Sequence, residues 1–171
     1  MQEDFEYDVR EIKMRLVAYR EKERDIDNQL ERLDRIETKL TSIGSPTLSD
    51  MPKSPSASHD READLIAQKI DLENEIRQMV QEQKEERDEI NRILGKVRHS
   101  DEKAVIRMRY IDGLSWNDVV DMLFGGKEDY LGKEDTYLRR THKIHGSALL
   151  SMAQIIDGEN QPPASGGFQL K

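Results

Sequence analysis

The sequence predicts an all-α protein, a long helical coiled-coil hairpin followed by a module of three short helices. Three observations lead there. Apolar residues recur every seven positions as far as residue 97, a Pro/Ser-rich break divides that repeat in two, and from residue 98 the repeat gives way to short amphipathic segments bounded by glycines. Composition points the same way: of 171 residues, 36% are charged and 35% hydrophobic, and only 5% are aromatic. That leaves little material for one broad core and favours narrow helices over a sandwich, a barrel or a large α/β enzyme.

The first helix is read from Phe5, Ile12, Tyr19, Ile26, Leu33 and Leu40, spaced by seven, with Val9, Leu16 and Leu30 in the companion row. Glu23 and Glu37 interrupt that row, and no Pro or Gly falls within residues 1–43, so one helix over about 2–41 is expected, roughly 60 Å long at 1.5 Å per residue. Residues 42–59, SIGSPTLSDMPKSPSASH, hold three of the five prolines and six serines and read as a flexible linker. A second seam over about 60–97 runs Leu65, Leu72, Met79, Ile93, with Ile76, Ile90 and Val97 beside it and Lys69, Gln83 and Glu86 as exceptions. Two such helices fold back as an antiparallel hairpin when paired numbers sum to about 106, which sets Glu37 level with Lys69 and Glu23 with Gln83; an intermolecular coiled coil is the competing arrangement. Ile66, Ile70, Val80 and Leu94 form a second apolar stripe that a two-helix hairpin leaves exposed, so self-association, most simply a homodimer, is expected.

Past Arg98 come three short helices. DEKAVIRMRYID closes at Gly113; SWNDVVDMLF opens at Ser115, with Asp118 in capping-box spacing, and closes at Gly125 and Gly126; the third spans about 135–156. The domains are therefore a coiled-coil arm (1–97), a three-helix module (98–157) and a tail (158–171) with the composition of a disordered end.

Charge is distributed unequally. The net −8 and pI of about 5.1 argue against nucleic acid, yet residues 1–95 carry 16 bases and 24 acids (net −8), while 96–150 carry 10 bases and 9 acids (net +1). If Ile144, Ala148 and Met152 face the module's core, the opposite stripe of the third helix is Arg139, His142, Lys143 and Gly146, flanked by Arg140 and Ser147. A basic face on the last helix, after a short helix and a glycine-bearing turn, is the layout of a helix-turn-helix. Arg139 and Lys143 then reach base edges or phosphates, and Arg140 and Thr136 the backbone; Arg107 and Arg109 on the first short helix also reach phosphate. A solvated basic face is the alternative reading.

The stretches RMRYIDGLSWNDVVDMLF and YLRRTHKIHGSALLSM resemble the C-terminal region of prophage proteins and of RinA-like or ArpU-like phage late-gene regulators, and more distantly region 4 of bacterial sigma factors. SDMPKSPSASHDREADLIAQKIDLENEI also resembles the prophage family, so the likeness covers most of residues 45–152; YIDGLSW and HKIHGSAL are its more specific phrases. The resemblance implies a sigma-region-4-like helix-turn-helix that binds a promoter or operator beside bacterial RNA polymerase in phage-controlled transcription. Matched to that recognition helix, Arg139, Arg140, His142 and Lys143 are the DNA-facing positions.

The turn departs from that pattern. A helix-turn-helix joins its last helices by three or four residues, whereas Gly125 to Glu134 intervene here, and GKEDYL at 126–131 is nearly repeated as GKEDTYL at 132–138. A local duplication that extends the turn is the reading, with chance similarity as its alternative. Such an acidic loop repels phosphate and is expected to contact a protein partner or to fold as a short helical turn away from DNA.

The remaining residues suggest no chemistry. Without cysteine there is no disulfide, thiolate zinc site or thiol nucleophile. His142 and His145 lack a third metal ligand, HExxH spacing is absent, and no phosphate loop or Ser/His/Asp set is found. His145 is expected to be packed or capping, and Trp116 to anchor the three-helix core. No apolar run approaches the roughly 20 residues of a membrane span, and MQEDFEYD does not resemble a signal peptide, so a soluble intracellular protein is expected, which the phage resemblance implies is in the bacterial host cytoplasm. The sequence thus predicts a non-enzymatic regulator of phage or prophage genes that binds double-stranded DNA, without metal or cofactor. Its rivals are a small terminase-like DNA-packaging subunit and a coiled-coil adaptor that binds RNA polymerase and not DNA.

Overall fold

A computed structural model describes residues 2–43 and 55–160, the side chains of 2–8, 55–58 and 160 excepted. In chain order come α1 (Gln2–Ile43), α2 (Pro55–Lys96), α3 (Ser100–Ile106) with a π-helical turn (Arg107–Ile111), α4 (Trp116–Phe124) and α5 (Glu134–Asn160). The expected all-α architecture, a long helical hairpin followed by shorter helices, is what the chain adopts. Most of the linker assigned to 42–59, the side chain of Phe5, and the tail from 161 onward lie outside the described residues. At both of its ends the 42–59 linker is shorter than expected: Ser42 and Ile43 complete α1, and α2 begins at Pro55 rather than near Asp60. A proline's fixed φ and missing N–H suit the first helical position, so Pro55 starts the helix it was expected to precede. At the far end Gly158 and Glu159 are still helical.

Two compact units divide the chain, Glu21–Glu85 and Met1–Arg20 with Glu86–Lys171. The first is an antiparallel pair of helical segments. Ile36, Leu72 and Ile76 are its buried centre, with Leu33, Leu40 and Leu65 packed around them. The Lys69 ammonium meets the Glu37 carboxylate at 2.8 Å, the expected register, and Lys22 pairs with Glu82 further along the same two segments. Glu23 is half-buried and Gln83 buried in the seam. The companion row of α1 differs from expectation: Leu30 is 46% exposed, whereas Ile36, outside both predicted rows, is 6% exposed. Rotating the contact by one residue buries Ile36 in place of Glu37 and leaves the carboxylate at the rim beside Lys69, which avoids desolvating a charge. Of the second apolar stripe, Ile66, Ile70 and Val80 are exposed as expected.

Leu94, the fourth member of that stripe, belongs to the other unit and is instead fully buried, because the short helices of that unit pack over it. There Ile12, Leu16 and Tyr19 of α1 and Ile90, Ile93, Leu94 and Val97 at the end of α2 share one cluster with Ile106, Tyr110, Ala148, Leu149, Met152 and Ala153. Arg15 grips Glu86 with Nε and Nη2 at 2.5 and 3.1 Å, giving that polar exception of the seam its partner. Behind α3 the backbone widens: the N–H of Asp112 bonds the carbonyl of Arg107 at 2.9 Å, five residues back. This turn lets one segment serve two cores. Ile106 and Tyr110 enter the cluster shared with α1 and α2, while Val105 and Met108 join Val119, Leu114, Trp116, Leu123 and Ile144 in a second.

Gly113 reverses the chain with φ +70°, a conformation costly for residues with a Cβ. At Ser115 the capping box is complete: Oγ accepts from the Asp118 N–H at 3.2 Å, and the Asp118 carboxylate accepts from the Ser115 N–H at 3.1 Å. A Cβ on Gly125, at the other end of α4, would lie 2.5 Å from the Asp121 carbonyl oxygen. Among the described residues no helix is long and apolar enough to cross a membrane.

Candidate nucleic-acid interface

The 3.6-residue period divides α5 into two faces. Thr141, His145, Ala148, Leu149, Met152 and Ala153 are buried, while Arg139, Arg140, His142, Lys143, Gly146 and Ser147 are exposed, and so is Thr136 one turn nearer the helix start. The apolar residues named from the sequence therefore hold the helix so that the basic stripe points outward. Within that stripe the side chains are engaged differently. The Arg140 guanidinium lies 5.1 Å over the Phe124 ring, and the His142 ring is 4.5 Å from that of Trp116. Arg139 donates through Nε to the Asp135 carbonyl at 3.3 Å, and neither Arg139 nor Lys143 pairs with a carboxylate among the described residues. Ser147 donates to Glu102 at 2.6 Å.

On the preceding segment, Arg107 is exposed. Arg109 is half-buried: it donates to the Leu114 carbonyl at 2.7 Å and lies 4.9 Å over the Trp116 ring. Its guanidinium thus helps to fix the turn between the π-helical segment and α4. Trp116 packs in the second cluster as expected, edge-on to His145 at 5.1 Å.

Two buried polar contacts had no signal in the sequence beyond their helical spacing. His145 is 7% exposed, and its Nε2 shares a 3.0 Å hydrogen bond with the Tyr110 hydroxyl. Burial, with smaller repulsion from Lys13, His142 and Arg109, lowers the imidazole pKa to about 4. Packing is thus the role of His145, as expected. Glu102 is 6% exposed and accepts from both Ser147 and Ser151, at 2.6 and 2.8 Å, which satisfies its carboxylate between α3 and α5. Serines four residues apart share one helix face, and the acid opposite them identifies that face only once α3 is docked.

Residues 125–133 form a chain of tight turns rather than a helical turn. The N–H groups of Lys127, Tyr130 and Lys133 each bond the carbonyl three residues back, at 2.9 to 3.1 Å. Tyr130 and Tyr137 hold the loop to its flanks. Tyr130 donates to Asp121; Tyr137 donates to Asp129 at 2.7 Å and stacks on Phe124 with ring centroids 4.9 Å apart. Lys133 and the Tyr137 hydroxyl hold the Asp129 carboxyl at about 2, well below its ordinary value. Beside the start of α5 lies a cavity of about 390 Å³, walled by Val120, Tyr130 and Leu138 and by the carboxylates of Asp121, Glu134 and Asp135. The first turn of α5 is therefore acidic, and positive charge begins one turn later at Arg139.

No curated protein and no solved structure matches the chain. A family model matches residues 42–140, which takes in α2, α3, α4 and the first turns of α5 as far as Arg140. On that match, covering more than half of its length, the chain belongs to the family described as "Protein of unknown function (DUF1492)".

Proposed function

We propose that the protein is a sequence-specific DNA-binding regulator of phage or prophage transcription, of the RinA-like or ArpU-like kind, acting in the bacterial cytoplasm and inserting α5 in the major groove. The observation that carries this reading is the outward stripe of Arg139, His142 and Lys143 on the last of three short helices, opposite the buried Ala148 and Met152. Two cations one helical turn apart, with no carboxylate partner among the described residues, have donors to spare for guanine edges or phosphates. Arg140 and His142 are steadied by the rings of Phe124 and Trp116, which fixes the direction from which they meet DNA.

The carboxylates of Glu134 and Asp135 repel phosphate at the point where a recognition helix ordinarily makes its first contacts. Contact by the second and third turns of α5, through Arg139 and Lys143, is the arrangement this charge pattern favours. The experiment is selection of a duplex from a random pool followed by binding at several salt concentrations. Arg139→Ala with Lys143→Ala is expected to weaken specific binding by about 1–3 kcal/mol for each base edge that the two side chains bond, and to flatten the salt slope. An unchanged isotherm in the double variant would remove α5 from the interface, and no salt-dependent retention on any DNA would leave the protein-binding adaptor as the better reading.

A further inference from the structure

The exposed side of α2 in the unit Glu21–Glu85 carries a second heptad ladder, about a quarter-turn or more around the helix from the seam that meets α1. One row is Ile66, Glu73, Val80; the other is Ile70, Arg77, Lys84. The three apolar members are 44%, 51% and 48% exposed for Ile66, Ile70 and Val80, so roughly half of each has no cover among the described residues. The charged members are lightly engaged: Arg77 donates to Asn74 at 3.3 Å, Glu73 lies 3.6 Å from Lys69, and Lys84 has no ion pair or hydrogen bond among the described residues.

We propose that this ladder is a homodimer interface in which α2 packs antiparallel against α2 of a second copy, the two hairpins together making a four-helix bundle. Antiparallel packing sets each row opposite the other row of the partner. In the register that brings Ile70 against the partner's Val80, Glu73 faces the partner's Arg77 and Ile66 lies under the aliphatic stem of the partner's Lys84. Twofold symmetry repeats every contact. The pattern is thus complementary to itself in apolar character and in charge, which is the reason for assigning a second copy of this chain rather than a foreign helix. Other arrangements fail on the same residues. A parallel pair sets Glu73 against Glu73 and Arg77 against Arg77, and sliding the antiparallel pair by one heptad breaks the Ile70–Val80 contact either way, placing Ile70 on Glu73 in one direction and Val80 on Arg77 in the other.

Because the chain has no cysteine, single-cysteine variants report the register directly. Ile70→Cys mixed with Val80→Cys under oxidising conditions is expected to give mainly the mixed disulfide, since those two positions face each other across the interface. In sedimentation experiments Arg77→Glu is expected to raise the dimer dissociation constant about tenfold, and Glu73→Arg added to the same chain to restore it. These side chains lie on an exposed face, so helical content by circular dichroism should be unchanged in every variant. A monomer at about 100 μM, a predominance of Ile70→Cys self-disulfides, or failure of the double charge reversal to recover the dimer would each overturn the proposal. DNA retention is read separately: a dimer that ignores DNA sinks the proposed function alone, and a DNA-binding monomer sinks this interface alone.

Discussion

At the scale of single residues, His145 has the most definite consequence. Its pKa of about 4 in the folded chain lies below the ordinary 6.5, because burial removes water from the imidazolium and Lys13, His142 and Arg109 add positive charge nearby. The unfolded chain therefore binds more protons between those two values. The stabilisation that follows is fully present above pH 6.5 and is lost as pH falls through 4. A loss of about 1–2 kcal/mol between pH 7 and pH 5 is expected in urea titrations, and His145→Asn should flatten that slope at some cost at neutral pH. His142, three residues earlier and exposed against Trp116, shows how one helix separates a packed histidine from a surface one. The helical period already sets His142 outward and His145 inward, and what the docked Tyr110 adds is the hydrogen-bond partner of the buried ring.

At the scale of elements, α4 is the short helix whose existence depends most on its ends. With the span Trp116–Phe124 it lies below the length at which a helix persists alone, so its capping box and its packing on α5 hold it. Ser115→Ala removes the acceptor for the Asp118 N–H and is expected to cost about 1 kcal/mol, seen as a lower urea midpoint with an unchanged slope. Ser115→Thr, which retains both the acceptor for the Asp118 N–H and the hydroxyl that donates to the Asp118 carboxylate at 2.6 Å, should recover most of it. The loop that follows was legible as a long connection between two helices but not as a structure. GKEDYL and GKEDTYL are nearly identical, yet the first copy forms turns and the second opens α5, because only the second runs on into the apolar period from Leu138 through Met152. Tertiary context decided between two equal local propensities.

At the scale of the whole molecule, the compact unit containing the short helices includes residues from the beginning of the chain. Leu16 and Tyr19, 1% and 3% exposed, are packed with Ile93, Leu149 and Met152. Leu16→Ala is accordingly expected to destabilise that unit by about 2–5 kcal/mol, and a chain lacking the first 20 residues should show weakened protection of α5 amides in hydrogen exchange. Retained protection in that truncated chain would mean that the short helices hold together without α1.

The sequence by itself determined the helical seams, the register that would set Glu37 beside Lys69, the capping box and the two faces of α5, because each follows from short-range periodicity or from charges placed level by one register; that the pairing closes within one chain was decided by the tertiary structure. Tertiary structure alone decided that Leu94 is core and Leu30 is surface, that Glu102 answers Ser147 and Ser151, and that a π-helical turn serves two clusters. Those outcomes depend on which helix arrives opposite a given side chain. Burial is settled between elements distant in sequence, and a pattern read along one helix contains no term for the other.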